Sequence, residues 1–176
     1  MFFLKYVLLI PILVFLFLGC SVKYDDVNLN KKDFTNDDVQ NLTNKILSIS
    51  KNIDKKEARE FSYDAITYSK YLANKYELVS PPLFHNFLVN YNLKEKGLCH
   101  HFTKDLLTYL NRKNYKSFNL KRIVSQRKEY FEHNSILLST SGVDFEDSLV
   151  LDAWRNSGEL FWIEVKNDDK YIWEFK

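Results

Sequence analysis

Apolar residues recur every three or four positions in the first two thirds of the chain, and this spacing predicts four helices. The first is predicted to follow Thr35-Asn36-Asp37-Asp38, which resembles a capping box with Asp in place of the usual Glu. The second is predicted to begin after Asp54 and to be long, because one apolar stripe continues without a break. The residues of this stripe are Ala58, Phe61, Ala65, Tyr68, Leu72 and Tyr76.

Two shorter helices are predicted before the pattern changes. Ser80-Pro81-Pro82 opens the third, because proline is favoured at the first helical position. Its predicted apolar face consists of Leu83, Phe84, Phe87, Leu88 and Tyr91. The fourth helix is predicted to extend from Cys99 to about Arg112, with a buried side formed by Phe102, Leu106, Leu107 and Leu110.

After Asn114 the pattern predicts strands. Short runs rich in β-branched and aromatic residues are separated by turn signals such as Ser141-Gly142 and Asn156-Ser157-Gly158. The predicted strands span residues 117–124, 131–138, 148–153, 160–165 and 171–175. Helices followed by strands indicate an α+β fold, in which N-terminal helices pack on a mainly antiparallel sheet.

The N-terminus has the pattern of an exported protein. Lys5 precedes an apolar run from Tyr6 to Leu18, which is shorter than the roughly 20 residues that a membrane helix requires. This length is typical of the apolar part of a signal peptide. The run ends in Phe17-Leu18-Gly19-Cys20, which resembles a bacterial lipobox, where a peptidase cuts before a cysteine that is then acylated.

This resemblance implies a lipoprotein signal peptide over residues 1–19, a lipid anchor on Cys20, a polar tether over 20–34 and a single domain over 35–176. Several acyl chains on one residue would hold the protein stably on a membrane. The expected location is the bacterial cell envelope, on the periplasmic face of the inner or the outer membrane. The alternative is an uncut membrane anchor, or an ordinary signal peptide with a coincidental cysteine.

Composition and charge bear on three questions: a nucleic-acid partner, the state of Cys99 and a bound metal. The formal net charge is +2 and no basic stripe is present, so no nucleic-acid partner is expected. The chain has 2 cysteines, and if Cys20 carries lipid, Cys99 has no partner for an internal disulfide. Cys99 is then either a structural thiol or a nucleophile. No metal is expected, because the adjacent side chains of Cys99-His100-His101 do not converge on one ion.

Cys99 falls where a reactive thiol is favoured, in the first turn of the predicted fourth helix, with Gly97 as a candidate cap. The free N–H groups and the partial positive charge of a helix N-terminus stabilise a thiolate. His100 and His101 are not expected to face the sulfur, because successive helical side chains point about 100° apart. His133 is the better candidate for a base, because a strand end can present its imidazole to a helix packed on the sheet.

Asp152 is the candidate to orient this imidazole. It lies in Leu149-Val150-Leu151-Asp152-Ala153-Trp154, a run too apolar to tolerate an unpaired carboxylate at low cost. A base needs such an acceptor to set its tautomer and to stabilise its charge. The separation between His133 and Asp152 is sufficient for a hairpin that lays their strands side by side.

These residues resemble a known family. Gly97-Leu98-Cys99, His133-Asn134-Ser135 and Leu151-Asp152-Ala153-Trp154 look like the three motifs of the transglutaminase-like branch of papain-fold cysteine enzymes. More narrowly, residues 81–162 resemble small bacterial transglutaminase-like lipoproteins and exported proteins. The resemblance implies a papain/transglutaminase-like core with its nucleophile, Cys99, at a helix N-terminus, His133 as base, Asp152 as orienter and no cofactor.

One position departs from this pattern. Papain-like enzymes carry Gln or a similar donor shortly before the cysteine, whereas the residue six positions before Cys99 is Leu93, which cannot donate. Asn90 and Asn92 are nearby amides, and either is a candidate to complete an oxyanion hole.

Two functions are expected from this resemblance. The first is a membrane-anchored envelope cysteine peptidase, amidase or acyltransferase that attacks amide or peptide bonds of a peptide, protein or cell-wall substrate through an acyl-enzyme. The second is a catalytically silent binding or scaffold lipoprotein of the same fold. A third, weaker expectation is a redox-sensing thiol at Cys99.

Overall fold

The structure, a computed structural model, describes residues 36–176. The predicted signal peptide, the anchor Cys20, the tether and Thr35 of the predicted capping box lie outside the described residues. The helices are α1 (Asn36–Ile49), α2 (Lys55–Lys75), α3 (Pro82–Asn90) and α4 (Cys99–Asn111). The strands are β1 (Asn119–Ser125), β2 (His133–Ser139), β3 (Leu149–Asn156), β4 (Glu159–Glu164) and β5 (Glu174–Phe175). Among the described helices, none combines the length and the apolar character needed to cross a membrane.

The strands form one antiparallel sheet in the order β4-β3-β2-β1-β5. β1 pairs with β2 along its whole length, from Asn119 opposite Ser139 to Ser125 opposite His133. β2 lies in the middle of the sheet, and all of its residues except Ser139 are buried. The predicted α+β class with an antiparallel sheet is confirmed.

The helices cover one face of this sheet. Because strand side chains alternate between faces, Ile136 and Leu138 of β2 pack with the helices, whereas Leu137 points to the other face. That second face is covered by the C-terminal segment through Val165 and Trp173. The core between helices and sheet is built from the faces of α1, α2 and α4, and includes Leu42, Ile46, Phe61, Leu72, Phe102, Leu106 and Leu110.

α2 begins and packs as its sequence predicts. The carboxylate of Asp54 accepts a hydrogen bond of 2.9 Å from the N–H of Glu57, which caps the helix. The predicted stripe lies in the core, and Tyr68 packs against the core from its edge. Phe61 makes edge-to-face contacts with Tyr115 and Phe118, so α2 also holds the connection between α4 and β1.

The predicted apolar face of α3 is largely exposed, although Phe84 and Leu88 are half-buried. Leu83 is 65% exposed, Phe87 47% and Tyr91 66%. The buried residue of α3 is His85 instead. The helical period was assigned correctly, but the apolar side of this helix borders a cleft and not the core.

Except for β4, the strands begin later than predicted, and β2 and β5 show why. β2 starts at His133, because the preceding residues form a turn in which Gln126 and Lys128 have positive φ, and Phe131 in this turn is 66% exposed. The last strand is confined to Glu174–Phe175. The residue that should have opened it, Tyr171, stacks on His133 instead of pairing in the sheet.

Gly158→Ala should destabilise the protein by roughly 2–4 kcal/mol in urea unfolding followed by circular dichroism. Gly158 has a φ of +91°, and an added Cβ would lie 2.2 Å from the Cβ of Ala73 in α2, so backbone strain and overpacking combine. Gly142→Ala is the matched control, because its φ is +79° but nothing lies within 4 Å of the added carbon. Equal losses in the two variants would contradict tight packing of the β3–β4 turn on α2.

Candidate active site

The structure brings the three predicted site residues together. Cys99 is the first residue of α4, His133 the first of β2, and Asp152 lies within the neighbouring strand β3. The Nε2 atom of His133 is 2.6 Å from Oδ2 of Asp152. The sulfur of Cys99 lies 3.8 Å from the carbonyl oxygen of Glu132, and 3.9 Å from Nδ2 of Asn134, the residues on either side of His133.

The start of α4 is organised by His101. Its Nδ1 accepts hydrogen bonds from the N–H groups of Gly97 and Leu98, at 3.2 and 3.3 Å. Burial, followed by the nearby His100, lowers the pKa of His101 to about 4, so this ring is neutral and keeps the lone pair that accepts these bonds. The N-cap residue is Leu98, so the prediction that Gly97 is the cap is wrong.

Gly97 has a different function, which is close approach to a buried histidine. Its φ is +129°, and an added Cβ would lie 2.1 Å from Nε2 of His85. The His85 ring accepts a hydrogen bond from the N–H of Val79 at 3.1 Å and donates to the carbonyl of Lys96 at 2.8 Å. These contacts fix the loop that leads into Cys99.

The thiol and the imidazole form a mutually stabilising pair. Burial raises the pKa of Cys99, but hydrogen bonds to His100 and His133 and the positive charge of His133 outweigh it, and the pKa falls to about 6. Burial lowers the pKa of His133, but Asp152 and the Cys99 sulfur outweigh it, and the pKa rises to about 9. Between these values the sulfur is a thiolate and the ring an imidazolium. Because Nε2 binds Asp152, Nδ1 is the nitrogen left for the sulfur.

The Asp152 carboxylate is completely enclosed, yet it stays ionised. Burial raises its pKa, but the hydrogen bond and charge of His133, with the charge of Arg155, hold it below its usual value. Oδ1 accepts from the backbone N–H groups of Trp154 at 3.1 Å and Arg155 at 3.0 Å. Oδ2 accepts from Nε of Arg155 at 3.1 Å in addition to His133.

Arg155 and Asp168 complete this network, and sequence analysis missed both. The guanidinium of Arg155 binds the Asp168 carboxylate through two hydrogen bonds of 3.1 and 2.7 Å. Nε1 of Trp173 donates to the same carboxylate at 2.9 Å. In sequence, Asn167-Asp168-Asp169 indicates only a turn. The available signal was an arginine three positions after Asp152 in an otherwise apolar strand.

Aromatic rings enclose the His133 imidazole. Tyr171 stacks on it with ring centroids 4.3 Å apart, and Trp154 and Trp173 lie at 5.0 and 5.5 Å. Nε1 of Trp154 donates to Oδ1 of Asn86 at 3.1 Å, which ties α3 to β3. These rings shield the imidazole from water, so its interactions with sulfur and carboxylate are strengthened.

Cys99 and His133 line a cleft with a volume of about 760 Å³. Asn90, one of the two predicted oxyanion donors, borders this cleft, and Asn86 does so as well. Asn92 borders a separate depression and is not placed beside the thiol. Hydrogen bonding within α4 begins at the N–H of His101, so the N–H of Cys99 has no intrahelical acceptor.

His100 contacts the sulfur, contrary to the prediction from helical spacing. Its imidazole contributes a hydrogen bond that lowers the pKa of the Cys99 thiol. Only His133 adds the attraction of its positive charge, and only His133 is joined to a buried carboxylate. His133 is therefore the ring that is equipped to take and to return a proton.

Comparisons of the chain with models of protein families, with curated proteins and with solved structures found no match. Within residues 36–176, no group of three or more His, Cys, Asp and Glu side chains is arranged to hold a metal ion.

Alkylation of Cys99 by iodoacetamide should rise with pH around a midpoint near 6, because the thiolate is the reactive form and the pKa of this thiol is about 6 rather than the ordinary 9.0. His133→Ala removes the charge that opposes burial, so the midpoint should move upward and alkylation at pH 7 should slow by about tenfold or more. The measurement is mass spectrometry of the Cys99 peptide over a pH series.

His100→Ala is the matched control for this experiment. It removes a hydrogen bond to the same sulfur but leaves the charge of His133 and its link to Asp152 in place. Its midpoint should therefore shift less than that of His133→Ala. A midpoint for His133→Ala equal to that of the wild type would contradict the assigned thiolate–imidazolium pair.

Proposed function

We propose that the protein is a transglutaminase-like cysteine enzyme of the bacterial cell envelope, which cleaves or transfers acyl groups at amide or peptide bonds. The observation that carries the proposal is the position of His133, whose ring lies 2.6 Å from the buried Asp152 and is hydrogen-bonded to the thiol of Cys99. A nucleophile, a base and an orienting carboxylate in mutual contact are the minimum set for acyl-enzyme catalysis.

The reaction follows from the charges of this pair. The Cys99 thiolate attacks the substrate carbonyl carbon; a C–S bond forms while the carbonyl π electrons move onto oxygen. Collapse of this intermediate breaks the C–N bond, and the imidazolium of His133 gives its proton to the departing amine. Water or a second amine, deprotonated by His133, then attacks the thioester, and the C–S bond breaks to restore the thiolate.

Two groups are available to stabilise the developing oxyanion. The N–H of Cys99 has no intrahelical acceptor and lies at the positive end of α4. The side-chain amide of Asn86 borders the same cleft, and because its oxygen is held by Trp154, its NH₂ group is left to donate. Asn86 thus replaces Asn92 as a candidate donor, beside Asn90.

Arg155 supports this chemistry indirectly, through Asp152. Its contacts with Asp152 and Asp168 fix the carboxylate that orients His133. The guanidinium carbon lies 4.2 Å from the ring centroid of Phe161 and 4.8 Å from that of Tyr171. The cation therefore packs against both rings and would lose these contacts if it moved. Arg155 is therefore a positioning residue.

Acetylation by p-nitrophenyl acetate tests the proposed enzyme directly. The full-length protein should release one equivalent of p-nitrophenolate in a burst and carry an acetyl group on Cys99 in mass spectrometry. Asp152→Asn should slow the burst by roughly 100-fold or more, because the orienting charge is lost. Asp169→Asn alters an exposed carboxylate of the neighbouring turn and should retain the wild-type rate.

The silent binding or scaffold lipoprotein remains the competing function, and the same experiment distinguishes it. An unacylated Cys99, or equal bursts in the wild type and in Asp152→Asn, would favour the silent module. The specific argument against it is the ionised, fully enclosed Asp152, which a binding module has no need to maintain.

The membrane anchor on Cys20 is part of the proposal. Cells that express the protein and are fed an alkynyl fatty acid should label it, and Cys20→Ser should abolish the label and release the protein from the membrane fraction. Cys99→Ser is the matched control and should keep both the label and the membrane association. Labelling that survives Cys20→Ser would contradict the anchor.

A further inference from the structure

One wall of the active-site cleft is the exposed face of α3. Leu83, Phe87 and Tyr91 lie along this face and all border the cleft. The rings of Phe87 and Tyr91 are 4.4 Å apart and form a continuous aromatic surface. Exposed apolar side chains that are grouped in this way are typical of a binding surface, whereas singly scattered ones are not.

A second apolar wall comes from the loop between β1 and β2. Tyr130 is 90% exposed and Phe131 66% exposed, and both border the same cleft. Their rings lie 4.9 Å apart in an edge-to-face arrangement. The loop is joined to the site, because the carbonyl of the next residue, Glu132, lies 3.8 Å from the Cys99 sulfur.

The order of the strands places these walls on opposite sides of the reactive pair. α3 is attached to β3 through the hydrogen bond from Trp154 to Asn86, whereas the loop belongs to β1 and β2. In the sheet, β3 and β1 flank β2 on its two sides, and β2 begins with His133. A substrate that crosses the thiol therefore meets an aromatic wall before and after the attacked carbonyl.

The polar groups of the cleft fit a peptide backbone. Asn86, Asn90 and Gln126 border it and supply amide donors and acceptors of the kind that pair with peptide groups. The carboxylate of Glu132 is neutralised by Nζ of Lys176 at 2.6 Å. Among the described residues, Lys170 is the remaining charged group at the cleft besides the Cys99–His133 pair, and its Nζ lies over the ring of Tyr171.

We propose that this cleft binds an extended peptide segment with a large apolar side chain on each side of the attacked carbonyl, one against Phe87 and Tyr91 and the other against Tyr130 and Phe131. The inference rests on the proposed function, since it takes Cys99 as the point of attack. It names the substrate class that the acyl chemistry alone leaves open: a polypeptide cleaved or modified between two apolar residues.

Binding of fluorescent hexapeptides to full-length Cys99→Ala in lipid nanodiscs tests this inference without turnover. Four peptides differ only at the two central positions, which are Phe-Phe, Phe-Ser, Ser-Phe or Ser-Ser. Each Phe should strengthen binding by about tenfold, because an aromatic side chain leaves water for an apolar wall. Fluorescence polarisation gives the four dissociation constants.

Variants of the two walls assign the two sites. In the Cys99→Ala background, Phe87→Ala should remove the advantage of Phe at one central position, and Phe131→Ala should remove it at the other. Both side chains are substantially exposed, so folding should be unaffected, which circular dichroism checks. Tyr71→Ala is the matched control, because Tyr71 is 51% exposed on α2 and does not border the cleft; its four constants should be unchanged.

Equal binding of the four peptides would overturn the inference. It would also be overturned if Phe87→Ala and Phe131→Ala removed the advantage of Phe at the same central position. A decanoyl amide that displaces the labelled peptide more strongly than unlabelled Phe-Phe does would also overturn it, in favour of a lipid acyl substrate.

Acetylation of wild-type Cys99 by p-nitrophenyl acetate does not require binding to either aromatic wall. An intact burst with equal peptide binding therefore refutes the substrate class alone, and a missing burst refutes the enzyme.

Discussion

The buried carboxylate of Asp152 is the constraint on which the rest of this structure depends. Transfer of an ion from water into a protein interior costs several kcal/mol unless hydrogen bonds and opposite charges replace the solvent. Here the backbone of β3, the imidazole of His133 and the guanidinium of Arg155 converge on one group. The Arg155 side chain is itself largely buried and needs its own counter-ion, Asp168, so one buried charge organises both β3 and the C-terminal segment.

The same constraint explains the state of the thiol. An imidazole held by a buried carboxylate keeps its proton to a pKa of about 9, and this positive charge opposes the effect of burial on the pKa of Cys99. The start of α4 adds to it, because His101 and His85 fix the loop that delivers the sulfur. The neutral His101 acts there through hydrogen-bond geometry, while the charged His133 acts through electrostatics. Neighbouring histidines thus differ in function because their partners differ.

The cleft gives a physical meaning to the apolar side chains that the core does not use. Leu83, Phe87 and Phe131 remain exposed, whereas most other large apolar residues within positions 36–176 pack into the clusters on the two faces of the sheet. These exposed side chains line the same cleft as the Cys99 thiol, so their exposure is explained by the proposed binding of substrate. The proposed substrate class depends on that connection between exposed rings and reactive sulfur.

The sequence by itself determined the order of helices and strands and the α+β class, because helical period, capping and strand alternation are local signals. It also predicted the contact between His133 and Asp152, because a carboxylate in an apolar strand needs a partner and their separation suits neighbouring strands. Only the tertiary structure decided that α3 presents its apolar face to a cleft, that Leu98 rather than Gly97 caps α4, and that His100 reaches the sulfur. The pairing of Arg155 with Asp168 also could not be predicted from the sequence, because it joins two separate segments of the chain. Periodicity specifies which side of an element is apolar, but the partner that covers that side, or leaves it open, depends on how distant parts of the chain pack.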